Sequence, residues 1–207
     1  MKLIIVGGKG NGTVVLSTLV DMIENYDSKL EFIGFVNEDS QTIKEIDGFP
    51  VIGHFAELEN LCKKHNAYFI NGITSVKTIC SIAEKYSAVF PNYEDRLVNI
   101  IHPSVHFGYK VQKGKGIFIG PQCYVGQNVD LGDMVFIHAQ CYVARDSCLG
   151  NFTYLAPQAY IGAEATIDES VYMGVNSLVK ERVHVRKNCI VGLGAIIVKD
   201  TEKDSLY

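Results

Sequence analysis

The sequence has no long apolar run, no stretch rich in basic residues and no CxxC pair. Each absence closes off a class of function. A helix that crosses a bilayer needs about 18 or more consecutive apolar residues, and none of that length occurs, so membrane insertion is not expected. Net charge is −4, with 20% charged residues; without a basic patch a nucleic-acid partner is not expected either. The opening MKLIIVGGKG has one Lys and a handful of apolar residues before Gly7. That is too short for a secretory signal, and the expected location is the cytoplasm. With no paired spacing among Cys62, Cys80, Cys123, Cys141, Cys148 and Cys189, no metal site is expected. At 207 residues and 47% hydrophobic, the chain has room for one or two ordinary globular domains.

The second half is dominated by a period of six. From Ile101 to Ile197 every sixth residue is apolar except Lys113. The following residue is often glycine, as at Gly108, Gly120, Gly126, Gly132, Gly150, Gly162, Gly174 and Gly192. Four residues after each column position stands a small or β-branched residue, including Cys123, Val135, Cys141, Ala159 and Ser177. A helix would need apolar spacing of three and four, and no such stripe runs here. The period predicts a solenoid in which three short strands of about six residues close a triangular coil of about 18 residues. Column residues point inward. The glycines are read as corner residues, where positive φ is cheap. Cys123, Cys141 and Cys189 are read as small buried hydrophobes. Cys148 lies off that column with no base beside it.

The first half reads as a small, mostly parallel α/β domain. Lys2 to Val6 is a strand, Gly7 to Gly12 a glycine-rich turn, and a helical pattern runs to about Asn25. Strand, glycine-rich turn and helix open a nucleotide-binding unit, in which the helix N-terminus offers free N–H groups to a phosphate. The spacing is not the full dinucleotide fingerprint. Further strands are expected at 31–36, around 51–52 and at 67–70, with helices at 55–64 and 75–86 and Ser75 as N-cap. Residues 88–90 are a candidate last strand. Asn37 and Glu38, ending the second strand, are placed to meet a base or ribose. The expected domains are 1–91 and 92–207, with 92–99 as connector.

Of the six histidines, His54 and His65 read as helix-boundary residues, His102 as part of a turn, and His106 and His184 as surface residues of the hexads. His138 differs. It stands just after a column residue, where Gly or Ala prevails, so its imidazole reads as a protrusion and a candidate proton acceptor.

The glycine-rich opening, the stretch Ile100-Ile101-His102-Pro103-Ser104, and hexads ending in Ile161-Gly162, Met173-Gly174-Val175-Asn176-Ser177 and Val191-Gly192-Leu193-Gly194-Ala195 resemble the sugar acetyltransferases of the sialic-acid O-acetyltransferase type. That group includes N-acetyltransferases of nucleotide-linked 4-amino sugars of the bacillosamine and perosamine kinds. The resemblance covers nearly the whole chain. It implies a Rossmann-like α/β domain followed by a left-handed parallel β-helix, a homotrimer, acetyl-CoA lying between adjacent solenoids, and a nucleotide-linked amino sugar held by the first domain. The implied substrate contacts are Lys9, Gly10, Asn11, Asn37, Glu38, Gly72 and Ser75. The implied cofactor contacts are Tyr154, Gly162, Ala163, Gly174, Val175, Gly192 and Leu193, with the backbone at Gly162-Ala163 as oxyanion donor. The family's catalytic His-acid pair aligns with Arg145-Asp146. Arg145 cannot accept a proton. A second family His aligns with Tyr154. His138, seven residues before Arg145, is the candidate replacement base, oriented by Asp146, with Arg145 free to meet a phosphate or carboxylate. The implied activity is acetyl-CoA-dependent N-acetylation by direct attack of the amine, for surface glycan synthesis. O-acylation on the same scaffold and a non-catalytic sugar-nucleotide-binding relative are the alternatives.

Overall fold

The computed structural model describes residues 1–74 and 81–207. Its contacts divide the chain into two compact units, Met1–Ile100 and Ile101–Tyr207. The boundary thus falls some residues beyond the expected 91/92. Residues of the expected connector belong to the first unit: Tyr93–Arg96 form a short 3-10 turn, and Val98 N–H donates to Phe69 O at 3.1 Å.

The first unit is a five-stranded sheet. Its strands are β1 Lys2–Val6, β2 Glu31–Val36, β3 Glu45–Ile46, β4 Phe49–Gly53 and β5 Ala67–Asn71, in the order β3-β4-β2-β1-β5. All neighbouring pairs are parallel except the β3–β4 hairpin. β1 is an interior strand, and Leu3, Ile4, Ile5 and Val6 are fully buried, as a strand covered on both faces requires. Helix α1 spans Asn11–Asn25 and buries Val15, Leu16, Leu19 and Met22, a spacing of three and four that lays one apolar stripe on the sheet. Helix α2, Leu58–His65, ends at Asn66, which adopts the left-handed conformation at φ 49°, a common helix stop. Helix α3 spans Ile82–Val89. Residues 88–90 are therefore not a strand: Ala88 and Val89 finish α3, and Phe90 N–H donates to Tyr86 O at 2.8 Å. The start expected for this helix, at Ser75, lies outside the described residues.

The second unit is a parallel β-helix. Each hexad contributes a two-residue strand, and each strand pairs in parallel with its counterpart one coil on, as Tyr124↔Tyr142 and Val125↔Val143. Three sheets result. The outward residues of one include Phe118, Phe136, Tyr154, Tyr172 and Ile190, a mostly aromatic face. Those of the next are His106, Tyr124, Tyr142, Tyr160, Leu178 and Ile196, a tyrosine face. Those of the third are Gln112, Asp130, Cys148, Thr166 and His184, a polar face. The apolar column fills the centre, from Ile119 and Val125 to Val191 and Ile197, together with Cys123, Cys141 and Cys189. Lys113, the interruption in the column, is exposed, with Nζ 4.2 Å from the centroid of Phe107.

The glycines do a different job from the one expected. The residues that turn the corners are every sixth one from Lys110 to Gly194, with φ from 54° to 68°, and only Gly116 and Gly194 among them are glycine. A left-handed non-glycine residue costs roughly 1–2 kcal/mol. Cross-coil hydrogen bonds offset it: Asn128 N–H donates to Tyr109 O at 2.8 Å and Asp146 N–H to Gln127 O at 2.9 Å. The hexad glycines sit two residues earlier, where successive coils touch. A Cβ on Gly150 would lie 2.6 Å from Glu169 N and 2.8 Å from Asp168 C. Gly150→Ala should therefore cost about 2–3 kcal/mol through overpacking. Gly194→Ala, with open space around it, should cost only about 1 kcal/mol of backbone strain. Urea unfolding of both variants checks the ranking, and equal losses would refute the close-approach account.

Candidate functional site

Three groups of residues carry chemistry, and each is built by a different part of the fold. The first lies at the carboxyl ends of β1, β2 and β5. There Gly7, Lys9, Asn37, Glu38, Asp39 and Gly72 help to line a cleft of about 210 Å³. Gly7 and Gly10 have φ of 120° and 93°, which lets the turn after β1 fold back to start α1. Gly72 is needed for close approach, since a Cβ there would lie 2.8 Å from Gly12 Cα. Lys9 is exposed. Asn37 is occupied locally: Nδ2 donates to Gly7 O at 3.2 Å, and Oδ1 accepts from Asp39 N–H at 2.7 Å. Asn11 Nδ2 donates to Thr74 O at 2.9 Å. Glu38 pairs with Lys85 at 3.2 Å on the surface. The predicted contacts Lys9, Asn37, Glu38 and Gly72 thus meet at one cleft. Gly10 caps α1 beside it, and Asn11 begins that helix. Ser75 lies outside the described residues.

The second group follows the tyrosine face. Tyr124, Tyr142 and Tyr160 stack with centroids 4.8 and 5.1 Å apart and rings within 11° of parallel, and His106 extends the stack onto Tyr124 at 5.2 Å. With Arg145 and Ala163 the tyrosines line a cleft of about 420 Å³. At the corner beyond, Arg145 donates to Asp146 and Glu164, and Arg182 donates to Glu164 at 2.9 Å. Asn128 Nδ2 donates to Asp146 at 2.9 Å. The Asn128 amide and then the Arg145 guanidinium hold the Asp146 carboxyl below its usual range. Arg182, ahead of Arg145, does the same for Glu164. Asp146 and Glu164 stay ionised and engaged, so this corner offers no proton acceptor tuned to neutral pH. The tyrosine ladder, Glu164 and Arg182 were not singled out from the sequence; tyrosines 18 residues apart were the available signal.

The third group lies at the corner between the aromatic and tyrosine faces. His138 is no protrusion. It is 8% exposed, its Nε2 is 2.7 Å from Tyr154 OH in a hydrogen bond, and it packs on Phe136 at 5.1 Å. Burial pushes its pKa down to about 4, so the ring is neutral at pH 7. The expected orientation of His138 by Asp146 is not formed: Asp146 sits at the next corner, bonded to Asn128 and Arg145, while the hydroxyl on His138 is that of Tyr154. The predicted cofactor residues divide likewise. Gly162 and Ala163 follow a tyrosine-face strand, on Arg145's side. Gly174, Val175, Gly192 and Leu193 follow aromatic-face strands, in the same corner as His138. Three further histidines are engaged in local structure. His54 Nδ1 accepts from Ala56 N–H at a helix start, His102 Nδ1 accepts from Ser104 N–H in a turn, and His184 Nε2 is 2.6 Å from Asp168. Cys148 is exposed, and partial burial with Asp130 and Asp168 nearby raises its thiol pKa, the reverse of an activated nucleophile. Among the described residues no cluster of three or more His, Cys, Asp or Glu could hold a metal, and no helix is long and apolar enough to cross a membrane.

The chain thus joins an α/β unit with a glycine-rich cleft to a hexad β-helix. Residues 2–86 match the family model of the PglD N-terminal domain. The whole chain superposes on solved structures of that architecture. One is a histidine-to-asparagine mutant of perosamine N-acetyltransferase from Caulobacter crescentus in complex with CoA and GDP-perosamine, with a TM-score of 0.69 at 23% identity over 100% of this chain and 92% of that one. Another is the acetyltransferase domain of PglB from Neisseria gonorrhoeae, with a TM-score of 0.68 at 20% identity over 99% and 95%. WeeI from Acinetobacter baumannii gives 0.65 at 17% identity over 97% and 93%. No curated protein sequence matches. The shared fold makes the second unit a left-handed β-helix.

The buried neutral histidine has a measurable consequence. Below the ordinary histidine pKa of about 6.5, the unfolded chain binds a proton that the folded chain refuses. His138 therefore lowers stability as pH falls from 6.5 towards 4. Relative to His138→Gln, wild type should lose about 2.5 kcal/mol between pH 7 and pH 4.5, read from urea unfolding at each pH. A difference that does not change with pH would show that the imidazole titrates freely in the native state.

Proposed function

We propose that this protein is an acetyl-CoA-dependent N-acetyltransferase that acts on the amino group of a nucleotide-linked amino sugar, for surface glycan synthesis in the cytoplasm. The observation that carries the reading is the joining, in one chain, of a PglD-type domain with a glycine-rich cleft to a hexapeptide β-helix. Solved proteins of the same architecture are described with CoA and a GDP-linked amino sugar, or with acetyl coenzyme A. In this reading Lys9 and the turn after β1 take the phosphates, Glu38 the ribose or base, and the β-helix the acetyl-CoA.

The chemistry is direct transfer. The amine nitrogen attacks the thioester carbonyl carbon, the C–S bond breaks, and the departing thiolate takes up the proton that the amine sheds. No enzyme nucleophile is required, and positioning supplies much of the rate. Backbone N–H groups at Gly162-Ala163 are the proposed donors to the developing oxyanion. The corner at Arg145 favours an amine over a hydroxyl. A hydroxyl needs a base, whereas Arg145 cannot accept a proton and Asp146 and Glu164 are held ionised by their partners. His138 has a pKa far below the working pH, which makes it a weak base. Its proposed role is to orient the Tyr154 hydroxyl near the thioester. We also propose a homotrimer. The exposed tyrosine face, with Ile196 63% exposed at its far end and Leu193 79% exposed at the adjoining corner, is apolar surface that neighbouring copies would cover.

The test is thiol release from acetyl-CoA against a panel of nucleotide-linked amino sugars, with N-acetyl product identified by mass spectrometry. Wild type should turn over one or more of them. Lys9→Ala should raise KM for the sugar nucleotide about tenfold with kcat nearly unchanged, the loss of one phosphate contact. His138→Ala should keep kcat within about tenfold of wild type; a drop of 10²-fold or more would make the imidazole the base. Nucleotide binding without any thiol release would favour a non-catalytic relative, the reading suggested by Arg145 and Tyr154 standing where the family has histidines.

A further inference from the structure

The transfer proposed above must move one proton from the amine nitrogen to the departing sulfur, and the tyrosine-face cleft of about 420 Å³ offers little to carry it. Its lining sorts by what each group can do with a proton. Gly108, Ala144 and Ala163 have no polar side-chain atom. The Gln127 amide and the Arg145 guanidinium donate hydrogen bonds but take up no proton near neutral pH. Asp146 and Glu164, at the corner beyond, are held ionised by their partners. His106 stacks on Tyr124 but lies outside the lining. What remains is a set of phenols: Tyr109, Tyr124, Tyr142 and Tyr160. A phenol hydroxyl donates one hydrogen bond and accepts another through the same oxygen, so it can hand on a proton and keep its charge.

We propose that Tyr142 is the proton relay of the transfer. The proposal rests on the acetyltransferase reading above. The stack sets Tyr142 apart. Its ring is held between Tyr124 at 4.8 Å and Tyr160 at 5.1 Å, within 11° of both planes. Tyr160 has Leu178, not a ring, on its other side, and Tyr109 stands outside the stack, 74% exposed. Among the described residues no hydrogen bond engages the Tyr142 hydroxyl, which leaves it for substrate. Register then places it. Arg145 follows Tyr142 in the same coil, and Glu164 N–H donates to Arg145 O at 3.0 Å, which sets Ala163 one coil on. With the thioester oxygen on Ala163 N–H, the carbonyl carbon and the sulfur lie over the coil of Tyr142 and Arg145; Tyr124 is a coil further off. As the C–N bond forms and the C–S bond breaks, the Tyr142 oxygen takes the proton leaving the nitrogen and gives its own to the sulfur. The products are the amide and the free thiol, and the phenol is regenerated. A neighbouring copy laid on the tyrosine face would keep out the water that could otherwise carry the proton.

The test compares wild type with Tyr142→Phe, Tyr124→Phe and Tyr160→Phe, on a nucleotide-linked amino sugar that wild type acetylates. Phenylalanine keeps the ring in the stack and removes only the oxygen. Tyr142→Phe should lower kcat about 10²-fold, with KM for either substrate within about threefold of wild type. The other two variants should lose no more than about tenfold in kcat. A second readout separates a relay from a packing role: single-turnover rates in mixtures of light and heavy water. Wild type should give a curved dependence on deuterium fraction, the mark of two protons moving together, and Tyr142→Phe a linear one. A kcat for Tyr142→Phe within about tenfold of wild type, a change confined to KM, an equal loss in all three variants, or a linear dependence in wild type overturns the relay and leaves the acetyltransferase reading standing. Absence of thiol release by wild type with every nucleotide-linked amino sugar overturns both.

Discussion

The β-helix depends on one constraint: each coil must lie in register on the next. Its strands are only two residues long, too short to hold together within a coil. They exist because backbone N–H groups donate to the coil that follows, as Tyr124 N–H to Cys141 O at 3.0 Å and Gly126 N–H to Val143 O at 2.8 Å. A slip of one residue would turn the apolar column outward. The same register stacks like upon like outside the core. Gln122, Gln140 and Gln158 form an amide ladder with contacts of 3.0 and 3.1 Å, Phe118 stacks on Phe136 at 4.4 Å, and Arg182 reaches Glu164 one coil before it. Close stacking in turn requires glycine where coils touch, which is why those residues are spread along the edges rather than placed at the left-handed turns.

Register also distributes the chemistry. Residues that are near in sequence but half a coil apart end at different corners, and so His138 and Asp146 take different partners. At one corner the charges satisfy one another: two arginines and two carboxylates, with Asn128, form a chain in which no group is left to titrate near neutrality. At the other, burial removes the proton from His138 and leaves a neutral ring bonded to a phenol. Neither environment supplies a base near neutrality. A neutral amine can attack before it loses its proton, whereas a hydroxyl needs its proton drawn off as it attacks, and this difference supports the proposed N-acetylation.

The α/β unit solves a separate problem with the same economy of backbone. Gly72 and Gly12 bring the end of β5 against the start of α1, and Asn37 folds the end of β2 back onto Gly7. The polar groups of the cleft are thereby fixed by backbone geometry, while Lys9, Glu38 and Asp39 remain at the surface. The tie from Asn37 N–H to Gly53 O carries that arrangement across to β4.

The period of six determined by itself that the second half is a solenoid, which residues face inward, and where the three buried cysteines go, because an inward column must be apolar and small residues must sit where space is least. The strands β1 and β2 and the glycine-rich turn were equally legible, being local patterns of apolar residues and breakers. Tertiary structure alone decided the rest. It ended α3 at Val89, where residues 88–90 had read as a strand, because a short apolar run looks alike in either conformation. It assigned residues 93–98 to the first unit through the Phe69 backbone. It buried His138 against Tyr154, although the slot had read as exposed, because exposure depends on neighbours from other coils. It occupied Asn37 within its own turn. Periodicity is a property of one coil, whereas partners, burial and protonation are set by the groups that stacking brings together.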